Sequence, residues 1–190
     1  MTDELAEVCW YFAYGSNMGR ATFVERRGMR PLAVRRAYLE HHRLCFDLPV
    51  GPGERGVANL VAVPGARTWG VVYALTAEAC AFLDRTEGVD RGLYRRIAVE
   101  VVVDADAASG GVSDYREAGA RVERVSAFAY QGAARDARRK PSARYLGLLL
   151  AGARELALPP EYVAWLEAFP LAIDEREAAI ERPRRSITTP

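Results

Sequence analysis

Few side chains in this sequence have a type and spacing that could do chemistry, and most of the usual arrangements fail when their partners are sought. His41 and His42 would be metal ligands or proton carriers. Neighbours on a strand point to opposite faces, so the two cannot share one metal, and no Cys or His stands at ligand spacing from them. They read as surface or structural residues, and no metal site is expected. Ser16 would be a nucleophile in a GxSxG elbow, but position 14 is Tyr rather than Gly. The stretch Gly15 to Gly19 lacks the Lys and the spacing of a phosphate-binding P-loop. Taken alone, Tyr14-Gly15-Ser16-Asn17 is a turn after a strand. The segment Leu83-Asp84-Arg85-Thr86-Glu87-Gly88-Val89 is different, because it closes an amphipathic helix with an acid in the last turn, where the macrodipole favours a cation. A local rule broken in this way is sometimes a mark of function, although Glu87 by itself reads as a solvated surface residue. Tyr130 and Tyr145, each alone, read as ordinary core or surface tyrosines.

The elements that must position these residues follow from pattern and punctuation. Val8 to Ala13 is apolar, aromatic and β-branched and runs into the Gly-Ser-Asn turn, as a strand feeding a tight loop does. Gly19 to Arg27 reads as a short helix, and Ala33 to Phe46 as a long bent strand or half a hairpin. After the loop at Gly51-Pro52-Gly53, Val57 to Val63 and Trp69 to Leu75 read as two strands joined around Pro64-Gly65. Thr76 is an N-cap for a helix to about Thr86, with Ala79, Phe82 and Leu83 as its apolar stripe. Tyr94 to Val103 and Val122 to Tyr130 read as strands, separated by a surface loop at Asp104 to Gly119. From Pro141 a helix carries Tyr145, Leu148, Leu149, Gly152 and Leu156 on one face. Past Pro159-Pro160, a second short helix turns Tyr162, Trp165, Leu166 and Phe169 to the core. Strands in adjacent runs with few helices predict an α+β fold, a small mixed barrel-like sheet flanked by short helices. One domain over 1–180 is expected, with a charged, Pro-containing mobile tail at 181–190.

Composition narrows the function classes. The chain has 190 residues, 50% apolar and 27% charged, with a formal net charge of +1. That length supports a core without disulfides or metal, and the charge gives no case for nucleic acid or a membrane surface. Lys140 is the only Lys, and Arg and Ala are abundant, the habit of a GC-rich bacterial genome. Cys9, Cys45 and Cys80 are odd in number and far apart, so three buried free thiols are expected. The acidic start at Asp3, Glu4 and Glu7 is unlike a signal peptide, and the apolar run from Leu146 to Ala153 is too short to span a bilayer. A soluble, cytoplasmic location is expected.

The residues gain meaning in combination. Tyr11-Phe12-Ala13-Tyr14-Gly15-Ser16-Asn17-Met18 resembles the signature loop of the gamma-glutamylcyclotransferase family. Trp69-Gly70-Val71-Val72-Tyr73, then Leu83 to Val89 and Tyr94, resembles that family's segment with its catalytic glutamate. Lys140 to Tyr145, Gly152-Ala153-Arg154-Glu155 and Leu158 to Tyr162 resemble its C-terminal helical part. The resemblance runs in order over roughly residues 10 to 169 and carries the fold above with it.

The resemblance implies an enzyme that cleaves a γ-glutamyl amide through attack by the substrate's own α-amine, releasing 5-oxoproline and a free amine or amino acid. It makes Glu87 the acid/base and gives the loop residues Tyr14, Gly15, Ser16 and Asn17 to substrate binding. Tyr130 and Tyr145 become pocket-wall residues with a binding role. It requires no metal and no cofactor, and its partner is a small γ-glutamyl molecule; a homodimer would be unremarkable. The leaving amine stays open among γ-glutamyl amino acids, γ-glutamylamines, glutathione and a biosynthetic intermediate, and a non-catalytic γ-glutamyl or pyroglutamyl binder is the reading from another class. Backbone N–H groups of the Tyr14 to Asn17 loop suit a carboxylate or an oxyanion. Gly15 is expected where the backbone crowds the ligand or takes a positive φ.

Overall fold

A computed structural model describes residues 8–51, 53–104 and 123–173. The tail expected at 181–190, and all but Asp104 of the loop expected at 104–119, lie outside the described residues. Among the described residues the strands are β1 (Val8–Ala13), β2 (Ala33–Pro49), β3 (Gly56–Thr76), β4 (Tyr94–Val103) and β5 (Arg124–Gly132). They close into a barrel in the order β1-β3-β2-β4-β5. Every neighbouring pair is antiparallel except β5 with β1, which is parallel and meets at Tyr11 opposite Phe128. Closure buries Phe12, Leu44, Leu60, Val71, Val101 and Ala129, of which Phe12, Val71 and Val101 are the aromatic and β-branched types that a pleated surface selects. The mixed barrel with short helices is the architecture the sequence predicts.

Three helices pack on the barrel: α1 (Ala77–Glu87), α2 (Ala143–Glu155) and α3 (Pro160–Glu167). Thr76 and Ser142 cap α1 and α2 by accepting hydrogen bonds from Ala79 N–H and Tyr145 N–H, each at 3.2 Å. Leu146, Leu149, Gly152 and Ala153 form the buried stripe of α2. In α1 the buried residues are Cys80 and Leu83, whereas Phe82 is exposed, and Trp165 of α3 lies at the surface while Tyr162 and Leu166 face the core.

Three expectations are corrected. The two strands expected at Val57 to Val63 and Trp69 to Leu75 are one strand. Glu40 pairs with Arg67 and His42 with Ala62, so residues 63–66 bulge opposite His41. The Pro64-Gly65 signal was therefore a bulge within β3, where a residue without an N–H is tolerated, and Gly65 supplies the positive φ of 78°. The helix expected at Gly19 to Arg27 is a 3₁₀ turn at Ser16–Met18 followed by a π-helical turn at Ala21–Arg26. Third, Cys9 and Cys80 are joined in a disulfide across 71 positions. Val8 pairs with Thr76 across β1 and β3, and Thr76 opens α1, so the topology sets these two sulfurs side by side. Cys45 stays free; burial and then Asp47 push its thiol up to about 12, which keeps it protonated and inert.

Candidate functional site

The α1 helix ends at Glu87 because Gly88 follows in the left-handed conformation, φ 69°, with Gly88 N–H bonded to Arg85 O at 3.2 Å and Val89 N–H to Asp84 O at 3.0 Å. That turn points the Glu87 side chain at the end of β1 instead of at solvent. The side chain is only 11% exposed. Its Oε1 accepts from Asn17 Nδ2 at 3.1 Å and lies 2.8 Å from the Arg27 guanidinium. Arg27 also donates to Thr86 Oγ1 at 2.9 Å. Arg85 already places a cation in the last turn of α1, and Arg27, 60 positions before Glu87 in the chain, sets a second one against the carboxylate.

The loop after β1 is held from three sides. Met18 N–H closes the 3₁₀ turn onto Gly15 O at 3.0 Å. The Tyr73 hydroxyl reaches the carbonyls of Asn17 and Met18 at 3.1 and 2.9 Å. Helix α2 crosses so closely that a Cβ on Gly152 would lie 2.7 Å from Gly19 N. Gly15 has φ −109° and ψ −149°, so the positive φ is not found. A Cβ there would instead press on the protein itself, 3.1 Å from Ala58 Cβ and 3.3 Å from the Tyr145 hydroxyl.

Tyr14, Gly15, Ser16, Asn17, Glu87, Tyr130 and Tyr145 all line one cavity of about 170 Å³. Their hydroxyls and amides are not equivalent. Tyr14 donates to Tyr130 O within the barrel wall. Tyr130 donates to Asp84 Oδ1 at 2.7 Å, and Asp84 is also gripped by Arg96 at 2.7 Å, so only the Tyr130 ring is offered to the cavity. The Asn17 amide bonds Glu87 and, at 3.0 Å, the Tyr11 hydroxyl, which sets its side chain to orienting the carboxylate. Tyr145 accepts from Ala58 N–H at 3.1 Å, and burial, partly opposed by hydrogen bonds from Ala58 and Ser16, raises its phenol above the ordinary value. It is a neutral donor at any physiological pH.

Tyr11, Arg27, Val57, Ala58 and Tyr94 complete the lining. Tyr11 and Tyr94 stand inside the quoted motifs without a role assigned. Arg27 sits in an Arg-rich stretch that gives it no distinguishing signal, and Val57 and Ala58 open a strand that reads as pure core. Tyr11, Tyr94 and Glu87 line the same cavity, and burial is the main cause that raises both phenols, with Glu87 adding to each. Among the described residues no three His, Cys, Asp or Glu side chains converge as a metal site, and no helix is long and apolar enough to cross a membrane.

A sequence profile of the AIG2-like family matches residues 67–166. The chain is 31% identical over 159 residues to gamma-glutamylcyclotransferase of Bos taurus, covering 80% of this chain and 73% of the relative. To the Mus musculus enzyme of the same name it is 32% identical over 169 residues, covering 85% and 79%. A solved gamma-glutamyl cyclotransferase structure superposes with a TM-score of 0.68 over 93% of this chain and all of the other, at 24% identity, a likeness of fold. The relatives and the profile show that the chain belongs to the gamma-glutamylcyclotransferase (AIG2-like) family, and the solved structure shares its fold.

Proposed function

We propose that this protein is a cyclotransferase that converts a γ-glutamyl amide into 5-oxoproline and a free amine. The observation that carries the reading is the Glu87 carboxylate, fixed through one oxygen at the wall of a tyrosine-lined cavity. The cavity, about 170 Å³, is smaller than the ~300–1,000 Å³ of pockets for drug-sized ligands. It suits one glutamyl head, leaving the amine beyond the γ-bond at the mouth.

The reaction joins two ends of one molecule, so the main demand is to hold the folded conformer. The neutral α-amine attacks the γ-carbonyl carbon, and the carbonyl oxygen takes the negative charge. Glu87 removes a proton from the attacking nitrogen through its second oxygen, which makes no hydrogen bond among the described residues. It returns that proton to the amide nitrogen as the C–N bond breaks, so protons balance and no water enters. The neutral Tyr145 O–H, with the backbone of the Gly15 to Asn17 turn, faces the developing oxyanion; one donor of this kind contributes about 3 kcal/mol. The reading includes a cytoplasmic location.

The test is 5-oxoproline release from a panel of γ-glutamyl amino acids, γ-glutamylamines and glutathione, with Glu87→Gln in parallel. The wild type is expected to release 5-oxoproline from at least one class, and the variant to lose about 100-fold or more in kcat while keeping its fold. Binding without turnover would favour the non-catalytic reading. Release of N-acetylglutamate from an α-N-acetylated substrate would replace cyclisation by hydrolysis.

A further inference from the structure

We propose that Arg27 is the positioning residue for Glu87, holding one carboxylate oxygen so that the other is presented to the substrate. The inference rests on the cyclotransferase reading and adds a residue to it. The last torsion of a glutamate side chain is broad, so an unanchored carboxylate samples many orientations. Here both contacts fall on the same atom: Arg27 at 2.8 Å and Asn17 Nδ2 at 3.1 Å from Oε1. The second Arg27 arm, on Thr86 Oγ1 at 2.9 Å, ties the guanidinium to the preceding residue of the helix end. A planar two-point grip fixes direction as well as charge. The pair is largely withdrawn from water, with side-chain exposures of 22% for Arg27 and 11% for Glu87, so it is not a screened surface ion pair.

The backbone that delivers Arg27 is itself unusual. Arg27 N–H bonds to Thr22 O at 3.1 Å in the wide spacing of a π-turn, and Gly28 ends the turn with φ 71°. Such turns are rare and concentrate at functional sites. Arg27 Nε is buried with no hydrogen-bond partner, a cost that stability alone would not select.

The experiment compares Arg27→Ala, Arg27→Lys and Thr86→Val with wild type, by 5-oxoproline formation and by melting. In folded Arg27→Ala, kcat is expected to fall about 100-fold with KM within about threefold, the scale of a misplaced catalytic group. Lysine, a point charge without the fork, is expected to be intermediate, and so is Thr86→Val, which removes one anchor. Guanidinium ion added to the buffer is expected to restore Arg27→Ala severalfold and Glu87→Gln not at all. A kcat for Arg27→Ala within about threefold of wild type, a loss confined to KM, or no response to guanidinium overturns the proposal. Should Arg27→Ala fail to fold, Lys and Thr86→Val carry the same comparison, and wild-type kcat in both overturns it. If wild type itself releases no 5-oxoproline, the cyclotransferase reading fails instead. The Arg27 contact is then read from the Glu87 carboxyl carbon NMR signal in labelled protein, expected to move in Arg27→Lys, with an unmoved signal overturning the proposal.

Discussion

The two tyrosines assigned to the pocket wall make the sharpest contrast at the scale of single residues. Tyr130 turns its hydroxyl to Asp84, which keeps Arg96 as a second partner. Tyr130→Phe is therefore expected to cost about 1 kcal/mol of stability and to leave kcat/KM within about threefold. Tyr145 faces the cavity and accepts from Ala58 N–H. Tyr145→Phe is expected to lower kcat/KM by about 10- to 100-fold, with a drop in melting temperature from the stranded Ala58 N–H. Steady-state kinetics and melting on the pair check both; equal kinetic losses would refute the division of roles. The place of Glu87 in the cavity was legible from its motif, helped by its position at a helix end. Arg27 was not, because an ion pair closed by tertiary structure leaves no spacing to read, and the anomaly at Glu87 could be noticed without its answer. The Asn17 side chain was likewise grouped with a backbone-donor loop, since nothing local says that its amide reaches back to the carboxylate.

At the scale of elements, glycines in α2 offer a test with opposite signs. Gly152 lies against Gly19, where a Cβ would meet backbone at 2.7 Å, and backbone cannot step aside as a flexible side chain can. Gly152→Ala is expected to destabilise by about 1–3 kcal/mol and to disturb the Ser16–Met18 turn, lowering activity. Gly147, in the same helix, has nothing within 4 Å of such a Cβ. Gly147→Ala is expected to stabilise by about 0.5–1 kcal/mol through helix propensity alone, with activity unchanged. Denaturant melts of the two variants check the signs. The regular elements were legible: the cap at Thr76 and the dense strand at Tyr94 to Val103 are local signals, whereas the helix read from Pro141 starts two residues later, capped by Ser142. The single strand β3 was not, because Pro-Gly marks a bulge and a hairpin alike, and only the partner strand decides between them. The π-turn leaves no period that a search for helical spacing could register.

For the whole molecule, the dominant titratable feature is buried phenol. Tyr11, Tyr14, Tyr73, Tyr94, Tyr130, Tyr145 and Tyr162 are all held above the ordinary value, with burial the largest cause in each. Raised folded values mean stability that is complete below pH ~10, the unfolded phenol value, and lost above it, because the unfolded chain releases protons that the folded chain keeps. Each such tyrosine steepens the loss by up to about 1.4 kcal/mol per pH unit. Tyrosinate absorbance and loss of structure are therefore expected to rise together above pH ~10; phenols ionising well before the fold is lost would contradict the burial described.

The barrel also has an uneven circumference. Long antiparallel ladders bind β2 to β3 and β4 to β5, whereas β2 meets β4 over three pairs and β5 meets β1 in register at Tyr11 and Phe128, with Tyr14 donating to Tyr130 O beside it. Tyr11 lines the cavity, and its ring packs on Phe128 and Tyr130, each at 5.4 Å between centroids. That join borders the cavity, so breathing of the fold there and access to the cavity are expected to share a hinge line. A molecule lodged against Tyr11 acts as a rivet across that join, and occupancy tightens the whole hoop by mass action.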